Sequence, residues 1–206
     1  MLKKREITLL VGLVIIFAMA FAACGETGGL EDLKDLEVIY GPEVDGKTYK
    51  IGDEGQADGI IFYVSQTGFL NTHTQEINYY LEAAGNMFHL EYKWQTSNTN
   101  VSTGTAIGTG RENTRLIILA DEEAEAAKAC ANFGSDLDNW FLPSIEELKE
   151  LFRFLDEEES SIYLENSYWS SSQSSNTQAL YYNTETKNQA AGDKGTGLLV
   201  HPIRSF

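Results

Sequence analysis

Apolar residues recur at helical spacing most clearly between Asp138 and Leu155, in the stretch DNWFLPSIEELKELFRFL. Leu148, Leu151, Phe152 and Leu155 stand at i, i+3, i+4 and i+7, so they share one helix face that needs a sheet or a second helix to cover it. Ser144 is placed to cap this helix, Glu147 completes a capping box three residues on, and Pro143 keeps the entering chain extended. Just upstream, Trp140, Phe141 and Leu142 form a short apolar run, expected to be buried where the helix meets the body of the domain. A second helix is predicted over Asp121 to Phe133. Asp121 would cap it, Glu123 and Glu125 favour its start, and Gly134 would end it. Ala124, Ala127 and Ala131 give that helix a small-residue face.

Other apolar runs have strand character. Ile60 to Val64 is a continuous β-type run that predicts a buried central strand, with Ser65 to Gly68 as its turn. Tyr79 to Ala83, Tyr168 to Ser172, Ala179 to Tyr182 and Gly197 to Arg204 are further strand candidates, and Pro202 must fall at a strand edge or end. The stretch from Thr96 to Asn113 is rich in Thr, Asn and Gly and reads as a long loop, a kind of segment that often carries function. Gly25 to Lys47 lacks apolar periodicity and is broken by Pro42 and Gly46. It reads as a tether, with the domain starting near Thr48.

The N-terminal segment changes the picture. Lys3, Lys4 and Arg5 precede an apolar region from Ile7 to Phe21, and Ala22 and Ala23 precede Cys24. This arrangement is that of a secretory signal, and Phe21-Ala22-Ala23-Cys24 resembles a bacterial lipobox, whose cysteine is diacylated and becomes the mature N-terminus. The expected organisation is a lipoprotein signal peptide over 1–23, an acidic, Gly-containing tether over 24–47 and a folded domain over 48–206. The alternative is an uncleaved spanning anchor. Both put the domain outside the cytoplasm, tethered to the bacterial cell envelope, and the lipoprotein reading favours the outer membrane or cell surface.

The chain has 15 Lys and Arg against 31 Asp and Glu; without residues 1–23 it has 12 against 30, a net charge of −18. Such a charge repels phosphates and anionic lipid surfaces, so nucleic acid is not an expected partner. With Cys24 lipidated, Cys130 has no partner for an intramolecular disulfide and reads as a buried structural thiol within a helix.

Read in order, YKIGDEGQADGIIFYV (Tyr49 to Val64), YLEAA (Tyr80 to Ala84), GTAIGTGRENT (Gly104 to Thr114), AAKAC, WFLPSIEEL (Trp140 to Leu148), YWSSS (Tyr168 to Ser172) and VHPIRSF (Val200 to Phe206) resemble the bacterial DUF1566 family, also called the Lcl C-terminal domain family. That family is related to the formylglycine-generating enzyme and C-type lectin folds. The resemblance implies an α+β, C-type-lectin-like domain with two helices flanking small antiparallel sheets. Two positions depart from the family pattern: Asp58 replaces one of a pair of glycines, and His201 stands where Arg is common.

Chemistry is sparse. The formylglycine-generating enzymes use a reactive cysteine pair, and this domain has only Cys130. The Glu-Pro-Asn and Gln-Pro-Asp signatures of calcium-dependent lectins do not occur. Asp136, Asp138 and Asn139 lack the glycine and terminal glutamate of a calcium loop and read as a turn. Gly104, Gly108 and Gly110 lack the Lys-Ser/Thr pair of a phosphate loop, and His73, His89 and His201 have no metal or triad spacing. Ser170 to Ser172 lack the Gly-x-Ser-x-Gly elbow of a serine nucleophile. No enzyme activity, cofactor or metal is expected. The expected role is a surface-exposed lipoprotein that binds or adheres to an extracellular glycan or protein, and the alternative is a structural envelope lipoprotein without a dedicated small ligand. Trp94, Asn98, Asn100, Arg111 and Asn113 are the candidate ligand-binding residues, since they border or lie in the polar loop. On that reading, replacing Trp94 or Arg111 by Ala weakens binding and leaves thermal stability unchanged.

Overall fold

A computed structural model describes residues 40–85, 90–134, 139–158 and 166–206. All of them belong to one compact unit, Val38–Phe206. The signal segment, Cys24, most of the proposed tether, His89, Asp136 and Asp138 lie outside the described residues. Among the described residues no helix is long and apolar enough to cross a membrane.

The architecture is α+β, with three helices and small antiparallel sheets. The first sheet has the order β1-β2-β8, formed by Ile60–Asn71, Glu76–Ala83 and Ile203–Ser205. A two-stranded sheet joins β3 (Tyr92–Lys93) to β7 (Gly197–Leu198). The third has the order β4-β5-β6, formed by Ser167–Gln173, Gln178–Asn183 and Asn188–Asp193. The helices are α1 (Gly110–Ala120), α2 (Glu125–Ala131) and α3 (Ile145–Glu157).

Helix α3 follows the sequence signals closely. Ser144 caps it and the reciprocal capping box with Glu147 is complete. Its apolar face, with Leu148, Leu151, Phe152 and Leu155, is buried in a cluster that includes Phe62 and Leu81 of the first sheet and Tyr168 and Tyr182 of the third. The Phe152 ring stacks on Tyr182 at 5.4 Å between centroids, so α3 joins the two sheets through one core.

Helix α1 is the main departure from the two-helix expectation. Its buried side is Gly110, Asn113, Thr114 and Ile117, residues at helical spacing but mostly polar or small. Hydrogen bonds hold that face instead of apolar burial: Thr114 Oγ1 accepts from the Leu142 N–H at 3.0 Å. An apolar-periodicity criterion therefore reads its first turn as loop. The neighbouring helix is correspondingly shorter than Asp121 to Phe133, and Asp121 closes α1 instead of opening α2. Ala126, Ala127 and Cys130 are its buried residues and Ala124 is buried at its N-cap, whereas Ala131 is exposed.

The strands differ in two respects. β1 continues through Ser65–Gly68 as far as Asn71, with an irregular register between Val64 and Phe69, and Gly68 takes φ +78°. β2, not β1, is the central strand. The C-terminal run is divided by Pro202: β7 pairs with β3, and β8 pairs with β2. The folded unit also starts before Thr48. The Gly41 N–H donates to Tyr49 O at 2.9 Å, and Tyr80 Oη donates to Pro42 O at 2.5 Å. This part of the proposed tether packs on the domain because Val44, Tyr49, Tyr80 and Phe206 share an apolar cluster.

Candidate functional site

Three buried charged side chains organise the glycine-rich and polar loops. Glu82, on β2, is fully buried and accepts hydrogen bonds from the Gln56, Ala57 and Gly59 N–H groups at 3.1, 2.9 and 2.8 Å. The 55–59 turn is thereby wrapped on one carboxylate, with Asp58 in the left-handed region at φ +58°. Glu147 does the same for the loop that leads into α1. Its Oε2 accepts from the Ser144 N–H at 2.7 Å and its Oε1 from the Gly108 N–H at 2.8 Å. Burial pushes the Glu147 carboxyl up to about 7, against the downward pull of the Ser144, Gly108 and Gly110 N–H donors.

Lys194 is the third. It is 1% exposed, yet among the described residues its Nζ reaches no carboxylate and donates instead to Gln95 Oε1, Thr99 O and Gln173 Oε1 at 2.9, 3.0 and 2.6 Å. The ammonium also lies over the Trp94 ring, 4.6 Å from its centroid. Desolvation lowers its pKa to about 8. These contacts draw the 95–100 loop onto the end of the third sheet and give a buried cation several oxygen partners and an aromatic face.

The loop's architecture decides the fate of the candidate residues. Trp94 is fully buried, its Nε1 donates to Ser170 O at 2.7 Å, and Lys194 covers its ring. It is a core residue and offers no stacking surface. Asn113 is also internal: it exchanges hydrogen bonds with the Gly104 N–H and Gly104 O at 2.8 Å each and donates to Ser171 Oγ. Asn98 and Asn100 are exposed, and Asn100 Oδ1 accepts from Gln173 Nε2 at 2.5 Å. Arg111 lines a cavity.

That cavity is a cup of about 270 Å³ whose rim includes His73, Arg111, Arg115 and Asn139, with Ile118, Trp140 and Phe141 also contributing to its lining. Arg111 is half-buried and donates from Nη2 to Asn139 Oδ1 at 2.7 Å. Among the described residues it makes no ion pair. Desolvation and the like charge of Arg204 lower its pKa, while Glu76 acts in the opposite sense. Opposite it, Glu112 accepts from Arg115 at 2.7 and 2.9 Å and lies 2.9 Å from His73 Nδ1. The Arg115 hydrogen bond is the main reason the Glu112 carboxyl falls to about 2. Asn139 holds φ +56°, which turns the chain into the buried Trp140, whose ring meets Phe133 edge-on at 5.2 Å. No local sequence pattern joins His73 and Asn139 to Arg111, from which they lie 38 and 28 residues away, so only the fold brings them to one site.

A larger, shallower groove of about 690 Å³ runs between β3 and α2, with Tyr92 and Phe133 on its walls and Glu91, Glu123 and Glu125 around it. Elsewhere, His201 is buried and its Nε2 donates to Ala84 O at 3.0 Å. Ser170, Ser171 and Ser172 are likewise buried and bonded to backbone or to Asn113. Comparisons with protein-family models and with curated proteins give no match for this chain.

Proposed function

We propose that this chain is a lipid-anchored bacterial surface protein whose domain, of the DUF1566 and C-type-lectin-like type, acts without catalysis by binding an extracellular glycan or protein through an anionic group. The observation that carries this reading is Arg111: a half-buried guanidinium facing a cup, with a neutral amide as its hydrogen-bond partner. In a chain of net charge −16, a guanidinium that meets no carboxylate among the described residues offers donors to an incoming carboxylate or sulfate. Arg115 and His73 add donors at the rim, and the apolar lining can accept a sugar face or an aliphatic side chain. The tethered location rests on the Phe21-Ala22-Ala23-Cys24 sequence.

Binding of the Val38–Phe206 unit to arrays of acidic glycans, neutral glycans and extracellular proteins tests this reading. An acidic ligand should bind, and Arg111→Ala should weaken it by roughly tenfold or more, the scale of a lost charge-assisted hydrogen bond. The melting temperature should stay unchanged, because Arg111 holds no core element. Equal binding by the variant removes the cup as the ligand face, and absence of any ligand favours the structural envelope role. The anchor is tested separately: Cys24→Ser should abolish labelling by radioactive palmitate and move the chain out of the membrane fraction.

A further inference from the structure

Several strand edges of the described residues are bridged along part of their length, and the remainder of the β1 edge is broken by the irregular register between Val64 and Phe69. Residues 52–54 bridge to β1, with Ile61 N–H donating to Asp53 O at 2.9 Å. Phe141 and Ile203 exchange hydrogen bonds at 2.8 and 3.1 Å on the outer side of β8. Leu199 and Pro143 accept from Trp169 and Ser171 of β4, and Glu125 accepts from the Lys93 N–H of β3. β6 is different. It pairs with β5 in an unbroken register, and Asn188 to Ala191 are all exposed.

The register shows which groups of β6 are open. Lys194 N–H donates to Thr177 O at 3.0 Å, directly across the pair, so this is a hydrogen-bonded pair of the antiparallel ladder. Counting by two along the register, Gly192, Ala190 and Asn188 also turn their main-chain groups toward β5. Gln189 and Ala191 therefore turn theirs outward. Among the described residues, no main-chain or side-chain partner meets them.

The strip has none of the usual defences of a free edge: no proline, no bulge and no charge from Asn188 to Gly192. It is also self-complementary. If a second copy pairs antiparallel with Ala190 on the two-fold axis, each Gln189 exchanges hydrogen bonds with the partner's Ala191. The same register brings each Lys187, a turn residue whose Nζ lies 2.9 Å from Asp156 of its own copy, toward the partner's Asp193, so the neutral centre is flanked at both ends by a Lys and an Asp instead of by like charges. Most other faces of so acidic a chain would bring like charges together.

We propose that β6 is a homotypic docking edge, through which two copies of this chain join their third sheets into one continuous sheet. This is independent of the ligand-binding reading. In this register Ala190 faces the partner's Ala190 as a non-hydrogen-bonded pair, with Cα atoms about 4.5 Å apart, within disulfide reach. The test is Ala190→Cys in the full-length chain, oxidised in bacterial membranes. A disulfide-linked species of twice the monomer mass, absent from the unsubstituted chain, is expected. Adding Ala191→Pro removes an outward N–H without costing a β5 hydrogen bond, and should abolish the dimer at an unchanged melting temperature. Lys187→Glu, which sets Glu against Asp193, should reduce the dimer yield several-fold. No dimer from Ala190→Cys, an adduct with a different protein, or a yield indifferent to both further substitutions overturns the proposal.

Discussion

Trp94 illustrates how a single side chain can mislead at the residue scale. Its place beside a polar loop suggests a ligand platform, but the loop turns inward because Lys194 sits over the ring and gathers Gln95, Thr99 and Gln173 around it. Trp94→Ala should accordingly destabilise the fold by ~3–5 kcal/mol, the usual cost of removing a buried large aromatic, and urea denaturation measures it. An unchanged midpoint would refute the core assignment. Nothing in the sequence around Asp193-Lys194-Gly195 marks that lysine as buried, because its partners are 21 to 99 residues away.

Two other buried groups set opposing pH dependences. Burial lowers His201 to about 4 from an ordinary value near 6.5, so between those values the unfolded chain binds more protons and stability falls as pH drops. Glu147 is raised to about 7 from 4.5, so between those values the folded chain binds more protons and stability falls as pH rises. Each effect is up to ~3 kcal/mol, and over their shared range they largely cancel. The unsubstituted protein should therefore show a flat stability profile from pH 4.5 to 6.5. Its advantage over His201→Gln should shrink as pH falls through that window, and its advantage over Glu147→Gln should shrink as pH rises from 4.5 to 7. Melting temperatures across the range check both signs.

At the scale of elements, legibility followed the kind of force involved. α3 could be read from sequence because apolar burial and a capping box both act within a few residues. α1 could not, because its buried face is held by Thr114 and Asn113 hydrogen bonds to Leu142, Gly104 and Ser171. The strand at Ile60 was legible, but its length and edge position depend on pairing with β2, which local pattern does not specify. For the site, Arg111 was visible whereas His73 and Asn139 were not. The turn at Gly108 has a specific steric basis. Gly108 has φ +90°, and a Cβ there would come within 2.1 Å of Leu70 O, while Gly108 O accepts from the Thr72 N–H at 2.9 Å. Gly108→Ala should cost at least ~2 kcal/mol by straining this junction between β1 and α1, again read by denaturation.

Across the whole molecule, the domain is tied together by a few long-range pins in place of a single layered core. α3 unites two sheets, and Glu82, Glu147 and Lys194 each fasten a loop to them. The starting and finishing segments are also joined. Phe206 stacks on Tyr80 at 5.2 Å and meets Tyr49 edge-on at 5.4 Å, and its N–H and C=O both bond to β2.

Because those two segments meet on one ring cluster, the order of the chain can be rearranged without separating them. A Gly/Ser bridge of about ten residues, with a mean span of ~17 Å, could connect position 206 to position 40. Reopening the backbone between the exposed Glu185 and Thr186 would then yield a circular permutant. Such a permutant should keep the parent's near-ultraviolet circular dichroism and melt cooperatively, and a molten spectrum would mean that the original order of synthesis matters to reaching this fold.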